Sequence, residues 1–330
     1  MRKRALGTGG PMVGAVGYGA MSFSDFYGEA TKEGSFQVLD ACRELRIDHI
    51  DTSNVYGMGR SEQWIGEWLK SRGENPFAIA TKAGITRTPE GERRFDNSRA
   101  HLEAELDRSL TRLGVEAVDL FYVHRRDAAT PIEEVAETLS AIVRAGKAKS
   151  VGFSEIAPSS LRRAHAVQPV AAVQSEYSLA TRFPDLGLVQ ACAELGVALV
   201  AFSPLGRALL TDRPHDAGRV GEIGFMKGNP RFQEPNLSAN LRLSAPFRAL
   251  AAGMGVPAAT LAIAWLLSRG EHVIPIPGTR SVEHLREAAQ GAALLLSPAD
   301  LARIEAALPV GWAHGDRYSA AQWVGPERYC

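Results

Sequence analysis

Four side chains in the sequence have the types needed to move a proton to or from an oxygen atom. The stretch HIDTSNVYG, residues 49–57, ends an apolar run at Asp51 and carries Tyr56 shortly after, while Lys82 and His124 end later apolar runs. A free tyrosine has a pKa of about 10 and exchanges protons poorly at neutral pH. An ammonium group beside the phenol lowers that pKa, and a carboxylate partner keeps the ammonium charged. With a histidine to orient the oxygen, the set can protonate a carbonyl or deprotonate an alcohol.

Each of these residues, taken singly, also has a purely structural explanation. Asp51 could cap a turn, Lys82 could lie along apolar surface with its ammonium group in water, and His124 could be a hydrogen-bonded core histidine. The polar groups that end seven successive apolar runs are, in chain order, Asp51, Lys82, His124, Ser154 with Glu155, Gln174, Ser203, and Gly278-Thr279-Arg280. Capping alone does not account for so many, and the set therefore indicates a functional site.

The elements that must position these groups are predicted to alternate along the chain. Short apolar runs typical of strands are separated by segments with helical periodicity, such as the stripe Leu102, Leu106, Leu110 and Leu113. Eight strands alternating with helices predict a parallel sheet buried on both faces. Eight similar units without a linker favour an α/β fold of the (β/α)8 TIM-barrel type, a single domain over residues 1–330, in which strand ends converge on one face. The glycine-rich stretch 7–19 holds no G-x-G-x-x-G fingerprint, which disfavours an open dinucleotide-binding sheet.

Two segments extend beyond what this barrel requires. Residues 206–240, rich in Arg, Gly and Pro, and the C-terminal tail 309–330 are predicted to shape the substrate pocket, since long loops on the catalytic face usually do. For the tail, an ordered packing arm or a frayed end is an equal alternative. The opening residues are expected to form a hairpin that closes the barrel floor.

Composition restricts the partners. The 330 residues carry 37 basic and 37 acidic side chains, so a small molecule is expected rather than nucleic acid or a membrane. The basic N-terminus is followed by no apolar segment of a secretory signal, and no window is long and apolar enough to span a bilayer. Cys42, Cys192 and Cys330 are too few for a disulfide framework, and dispersed histidines indicate no metal site. We therefore expect a cytoplasmic protein.

The motifs that surround these residues resemble the aldo-keto reductase superfamily over nearly the whole chain. The matching stretches are DTSNVYG, IATKAG, LFYVHRRD, KSVGFSE, VQSEYSL, VAFSPLGRALL and PIPGTRSVEHLREA. The resemblance implies a TIM barrel and an oxidoreductase that reversibly reduces aldehyde or ketone carbonyls to alcohols. It also implies that Tyr56 is the general acid or base, that Asp51 and Lys82 tune it, and that His124 orients the carbonyl.

A nicotinamide cofactor is expected because these four side chains have no hydride to give. The resemblance implies NADPH or NADP+, with NADH less favoured, bound along the strand ends. It assigns the carboxamide to Ser154 and Gln174, ring stacking to Phe202, and the 2′-phosphate to Arg280. Further cofactor contacts by position are Gly19, Met21, Ser203, Leu205, Gly206, Gly278, Thr279, His284 and Glu287.

Several positions depart from the family pattern. Glu155 stands where many relatives have asparagine, and a carboxylate cannot donate as that amide does. Ala288 follows Glu287 where relatives often have asparagine, and His284 stands where glutamine is frequent. We expect these changes to weaken cofactor contacts while leaving Arg280 and the proton-transfer set intact.

Alternatives remain for the function and the substrate. A cofactor-binding regulatory or sensor subunit, like the potassium-channel β subunits, would keep the same residues, but this chain begins almost at the barrel without their N-terminal extension. A dehydrogenase working mainly in the alcohol-oxidising direction is a further alternative. The expected pocket walls are Phe23, Phe26, Tyr27, Arg125, Arg126 and the two long segments, and the aromatic side chains suit aryl or apolar carbonyls. These arginines suit a negatively charged or sugar-like substrate, unless they pair with Asp127 and face solvent. Oligomeric state is left open.

Overall fold

The computed structural model describes residues 1–88 and 90–329. Their strands are β1 (Lys3–Ala5), β2 (Met12–Gly14), β3 (Tyr18–Gly19), β4 (His49–Asp51), β5 (Ala78–Ala83), β6 (Ile85–Arg87), β7 (Arg93–Phe95), β8 (Leu120–Val123), β9 (Val151–Ser154), β10 (Ala172–Glu176), β11 (Ala198–Phe202) and β12 (Val273–Pro275).

Helices separate these strands. They are α1 (Lys32–Leu45), α2 (Arg60–Arg72), α3 (Arg99–Leu113), α4 (Ile132–Arg144), α5 (Pro158–Val167), α6 (Leu188–Leu195), α7 (Ala217–Glu222), α8 (Gly224–Lys227), α9 (Asn236–Leu243), α10 (Ala245–Gly253), α11 (Ala258–Leu267), α12 (Val282–Gln290) and α13 (Pro298–Ala307). Short 3-10 turns lie at Ala20–Ser24, Phe183–Leu186 and Pro230–Phe232.

The central sheet is the predicted barrel. Eight strands lie in the order β3, β4, β5, β8, β9, β10, β11, β12, and each pairs in parallel with the next. The first and last are joined by backbone hydrogen bonds from Gly17 to Pro275 at 3.0 Å and from Gly19 to Pro277 at 3.2 Å. The sequence prediction of a TIM barrel is confirmed, and the carboxyl ends of the strands therefore share one face.

Helix periodicity predicted the outer layer well. In α3, Leu102, Leu106 and Leu113 are fully buried, Ser98 caps the first turn, and Gly114 ends the helix in the left-handed conformation at φ 68°. In α4 the apolar stripe from Ile132 to Ile142 is likewise buried. The apolar faces of these helices pack against the barrel strands and are thereby removed from water.

Two hairpins flank the barrel. As predicted, β1 and β2 pair antiparallel at its amino end, and Leu6 and Val13 join the apolar cluster inside the barrel. The second hairpin, β6 with β7, follows β5 on the opposite face and was not predicted. Its sequence signal is the turn-forming stretch TPEGE between two short polar strands.

The long segment and the tail are ordered and pack on the barrel. Residues 206–240 contain α7, α8 and the start of α9. In the tail, the Trp312 indole donates to the Leu179 carbonyl at 2.8 Å, and the Asn240 side chain bonds both ways with the His314 backbone, at 2.7 and 2.9 Å. The tail is therefore a packed arm, and the alternative of a frayed end is wrong for residues 309–329.

Two remaining sequence expectations concern cysteines and membrane spans. Cys42 and Cys192 are buried free thiols, whereas Cys330 lies outside the described residues. Within the described ranges, no single helix has the length and apolar character to cross a bilayer; one pair, Asn236–Gly253 with Ala258–Leu267, meets the criteria jointly but is bent by 91°.

Candidate active site

Neighbouring strands bring the four proton-transfer residues together. Asp51 ends β4, Lys82 lies in β5, and His124 follows β8, which are adjacent in the barrel. Tyr56 lies in the turn after β4. The His124 backbone N–H donates to the Ala83 carbonyl at 2.7 Å, which fixes the height of the histidine beside the end of β5. Residues far apart in the sequence thus meet because consecutive parallel strands end at one rim.

Lys82 lies at the centre of this group and is fully buried. Its ammonium donates to the Asp51 carboxylate, to the Thr52 carbonyl at 2.7 Å and to the Tyr56 hydroxyl at 3.4 Å. The second oxygen of Asp51 accepts from the Gln174 amide at 2.8 Å. Every proton of the ammonium is used, and one of them points at the phenol.

The protonation states follow from burial set against charge. Burial would lower the pKa of Lys82, but Asp51 and the Tyr56 hydroxyl outweigh it and the pKa is raised, so the lysine stays charged. We expected Lys82 to bring the pKa of Tyr56 below its usual value. Burial of the phenol outweighs the lysine in the structure, and the pKa of Tyr56 is raised. Tyr56 is therefore a protonated phenol at neutral pH.

His124 is held neutral beside the phenol. Burial lowers its pKa well below the usual range, and the charges of Arg125, Lys82 and Arg93 act in the same direction. The Ser53 hydroxyl lies 3.1 Å from Nδ1, and when it donates to that nitrogen the imidazole proton is on Nε2. The Tyr56 and His124 rings meet edge to face with centroids 5.8 Å apart. With the proton on Nε2, the two rings present two hydrogen-bond donors to the same part of the cleft.

These residues form part of one large cleft, with a volume of about 1570 Å³. Tyr56, His124 and Asp51 line it, and Lys82 lies behind them. The predicted cofactor residues that line the same cleft are Gly19, Met21, Ser154, Gln174, Phe202, Ser203, Leu205, Gly278, Thr279, Arg280, His284 and Glu287. Gly206 differs, because it is buried beside the Ala180 and Leu210 side chains and does not line the cleft.

A cationic region lies where the 2′-phosphate contact was expected. Arg280 donates to the carbonyls of Glu29 at 2.5 Å and Tyr27 at 3.1 Å, and Arg219 donates to the same Tyr27 carbonyl at 3.2 Å. Gly28, at φ 112°, packs so closely that an added Cβ would lie 2.9 Å from the Arg280 guanidinium. Arg219 was missed from the sequence; the basic stretch RPHDAGR that ends with it was the available signal. The charge and position of this region fit a phosphate-bearing cofactor.

Glu155 does not line the cleft. It is 3% exposed, and its carboxylate accepts from the Glu176 backbone N–H at 2.8 Å and from the Arg317 guanidinium in the tail. Glu176 in turn pairs with Arg207 at 2.8 Å. The departure at Glu155 therefore serves to hold the C-terminal tail, a function that the sequence did not suggest.

The two arginines after His124 have different surroundings. Arg125 is buried and lines the cleft, whereas Arg126 does not line it and donates to the Thr130 carbonyl at 2.8 Å, with the Glu327 carboxylate 3.6 Å away. Neither forms an ion pair with Asp127 among the residues that the structure describes. The expectation that Arg126 is a pocket wall is wrong, and so is the alternative that both face solvent.

Eight parallel strands with a large cleft at their carboxyl ends define an enzyme of the TIM-barrel class. The model of the family described as "Aldo/keto reductase family" matches residues 15–309, and the chain belongs to that family. The sequence identification is confirmed.

Individual relatives agree with this placement. An aldo-keto reductase of Schizosaccharomyces pombe, whose name includes NADP(+), is 37% identical over 315 residues, covering 94% of this chain and 93% of that protein. A probable aldo-keto reductase of Glycine max is 37% identical over 317 residues, covering 95% and 90%. The solved structure of a glycerol dehydrogenase from Gluconobacter oxydans superposes with a TM-score of 0.82 at 25% identity, covering 93% and 94%. The protein is thus an NAD(P)H-dependent oxidoreductase that interconverts carbonyls and alcohols.

Proposed function

We propose that the protein reduces aldehyde or ketone carbonyls to alcohols with NADPH and that Tyr56 is the general acid. The observation that carries this proposal is the Tyr56 hydroxyl on the cleft wall, 3.4 Å from the buried Lys82 ammonium that Asp51 holds in place. A charged neighbour stabilises the phenolate that remains after the proton has left.

The proposed role of each side chain follows from its protonation state. His124 is neutral, and its Nε2–H donates to the carbonyl oxygen and aligns it with the phenol. Tyr56 then gives its proton to that oxygen as negative charge develops there. Lys82 and Asp51 do not touch the substrate; they hold the charge that makes this transfer favourable. The bound nicotinamide supplies the hydride, which none of these residues can.

The raised pKa of Tyr56 supports the reductive direction, because a protonated phenol is an acid ready to donate. The alcohol-oxidising direction is the second candidate, supported by the structural similarity to a glycerol dehydrogenase. In that direction the phenol must first lose its proton, which its burial opposes. Initial rates measured both ways on one carbonyl and alcohol pair distinguish the two.

The test of Tyr56 is its replacement by phenylalanine. Tyr56→Phe keeps the ring and removes the acidic proton, and we expect kcat for carbonyl reduction to fall by about 10²–10⁴-fold. NADPH oxidation at 340 nm measures turnover, and fluorescence titration with NADPH shows that the cofactor still binds.

Tyr27→Phe is the matched control, since the Tyr27 hydroxyl belongs to the same cleft but bonds to Arg207. We expect that variant to keep most of the wild-type kcat. If Tyr56→Phe turns over as fast as wild type, the assignment of the acid is wrong. If the wild type binds NADPH but reduces no aldehyde or ketone, the regulatory-subunit alternative is favoured instead.

The preference for NADPH over NADH is supported by the cationic region at Arg280 and by the NADP(+) in the name of the S. pombe relative. A guanidinium recognises a phosphate through charge-assisted hydrogen bonds that the 2′-hydroxyl of NADH cannot replace.

The test of this preference is Arg280→Ala. We expect the KM for NADPH to rise about 10- to 100-fold, as the loss of one charged hydrogen-bonding group predicts, and the KM for NADH to stay nearly constant. Arg286→Ala is the control, because Arg286 lies exposed on α12 and does not line the cleft. Equal losses with both cofactors in Arg280→Ala would contradict recognition of the 2′-phosphate.

A further inference from the structure

The cleft holds three arginines whose charge the proposed chemistry does not use. Arg87 and Arg93 lie on the β6–β7 hairpin, and Arg125 directly follows His124. All three line the same cleft as Tyr56 and His124. We call them the arginine cluster.

The hairpin places two like charges side by side. Arg87 and Arg93 are directly opposite partners in the antiparallel register, so their side chains share one face of the hairpin. Arg94, opposite Thr86, lies on the other face. Like charges in directly opposite positions destabilise a strand pair, and a bound anion offsets that repulsion. Arg93 stacks over the Phe95 ring, 4.9 Å from its centroid, which directs its stem along the hairpin.

Arg125 contributes a buried cation to the cluster. It is 8% exposed, and its Nη1 donates to the His124 carbonyl at 2.7 Å and to the Ser154 hydroxyl at 2.9 Å. Its Nε is buried and has no hydrogen-bond partner among the described residues. Buried N–H groups are nearly always paired in proteins, so an acceptor is expected from outside the chain.

Most of the other arginines of the cleft form an ion pair, unlike those of the arginine cluster. Arg108, Arg112, Arg207 and Arg219 each pair with a carboxylate. Among residues 1–88 and 90–329, no salt bridge involves Arg87, Arg93 or Arg125. Of the cleft arginines, Arg280 and Arg213 also form no salt bridge among the described residues, and Arg280 is the residue assigned to the cofactor phosphate. The cleft therefore has two regions of uncompensated positive charge, and the cofactor accounts for one.

The charges of the cluster act on the reaction centre. Arg125 and Arg93 both lower the pKa of His124, and burial followed by Arg125 lowers the pKa of Arg93. The positive charge of the cluster therefore acts at His124 as well as between its own members.

We infer that the arginine cluster binds an anionic group of the substrate, so that the substrate class is a carbonyl compound carrying a carboxylate or a phosphate. This inference rests on the proposed function and adds the chemical class of its substrate. The guanidinium groups would accept either anion through charge-assisted hydrogen bonds. Arg93 and Arg87 provide attraction at the cleft wall, and Arg125 provides the buried contact beside His124.

The first test compares three aldehydes that differ in one substituent: 4-carboxybenzaldehyde, 4-formylphenyl phosphate and the neutral methyl 4-formylbenzoate. With NADPH saturating, we expect at least one of the anions to be reduced with a kcat/KM about tenfold or more above that of the ester, chiefly through KM. The comparison of the two anions distinguishes carboxylate from phosphate. Added salt should reduce the advantage of the anion.

Variants of the hairpin show whether the preference for anionic substrates depends on Arg93. Arg93→Gln should lower the ratio of kcat/KM for the preferred anion to kcat/KM for the ester about 10-fold, while Arg93→Lys should retain most of that ratio. Arg94→Gln is the matched control, since it removes the same charge from the same strand on the face away from Arg87. We expect Arg94→Gln to leave kcat/KM unchanged for both the anion and the ester.

A binding measurement makes the test independent of turnover. Isothermal titration of benzoate into the NADPH-loaded protein should show binding that Arg93→Gln weakens and Arg94→Gln does not. The inference is overturned if the ester is the better substrate, if Arg93→Gln affects all three aldehydes equally, or if benzoate binding is the same in both variants. Tyr56-dependent reduction of the ester in that case leaves the proposed carbonyl reductase intact.

Discussion

At the scale of single residues, burial decides protonation states that residue types alone leave open. Lys82 and Tyr56 are both fully enclosed, yet Lys82 keeps its charge because Asp51 contacts its ammonium, and Tyr56 keeps its proton because its burial outweighs the lysine. His124 is neutral for the same reason, with cationic neighbours added. The result is an acid, a neutral donor and a fixed cation in one place.

The pH dependence of carbonyl reduction follows from these states. The proposed reaction needs Tyr56 protonated and His124 neutral; burial raises the pKa of Tyr56 above its usual value and lowers the pKa of His124 well below its usual value. We therefore expect kcat/KM to be level from about pH 6.5 to about pH 10 and to fall only above that range, as the phenol loses its proton. Initial rates across this interval measure the profile, with NADPH binding followed in parallel as the control. A descending limb centred near pH 8 would mean that Lys82 dominates over burial.

At the scale of elements, one buried ion pair holds the C-terminal tail against the barrel. Arg317 contacts Glu155 at the end of β9, and its guanidinium lies over the rings of Tyr318 and Trp323, at 4.6 and 4.7 Å from their centroids. Burial acts to lower the pKa of Arg317, but the Glu155 carboxylate outweighs it and the pKa is raised. Because Tyr318 lines the cleft, this pair also positions part of the pocket wall.

Removing one partner of this pair should be costly. Arg317→Gln leaves the Glu155 carboxylate buried without its counter-ion, and we expect a loss of about 3–5 kcal/mol in the free energy of unfolding. Denaturant titration measures it. Arg163→Gln, which breaks the exposed pair with Glu133, should cost at most about 1 kcal/mol and serves as the control.

The effect of Arg317→Gln can also be measured by enzyme kinetics. A tail that has lost its anchor should raise KM for the aldehyde more than KM for NADPH, because Tyr318 lines the cleft and is not among the residues expected to bind the cofactor. If Arg317→Gln is as stable as Arg163→Gln, the pair does not anchor the tail.

At the scale of the whole molecule, adjacent barrel strands pack so closely at Gly152 that they leave no room for an added atom there. Gly152 lies in β9, and an added Cβ would stand 2.4 Å from the Ala172 carbonyl oxygen and 2.7 Å from the Tyr122 ring. Both neighbours belong to adjacent strands of the barrel, so neither can retreat without disturbing the sheet. The packing at Gly152 thus depends on how three adjacent strands of the barrel pair.

Gly152→Ala should therefore destabilise the fold by about 1–3 kcal/mol, the usual cost of overpacking a core. Thermal unfolding compared with wild type is the measurement. Gly221→Ala is the control, because no atom stands within 4 Å of its added Cβ and alanine is the better helix former in α7 by about 0.5–1 kcal/mol. A Gly152→Ala protein as stable as wild type would show that the strands can separate at this point.

Much of the fold and the site could be predicted because both depend on order along the chain. Asp51, Lys82 and His124 end consecutive barrel strands, so their convergence followed once the barrel was recognised. The hairpin β6–β7 escaped prediction because its strands are three residues each and carry no apolar alternation. Arg87 and Arg93 were therefore missed, although the barrel brings them to the same cleft.

The sequence by itself determined the alternation of strands and helices, the barrel and the residues at its strand ends, because these follow from local periodicity and the order of units. Only the tertiary structure decided the pairing of Glu155 with Arg317, which are 162 positions apart, and the raised pKa of Tyr56. It also decided which arginines of the cleft lack a partner. Burial and long-range charge pairing depend on which surfaces meet, and no local pattern encodes that.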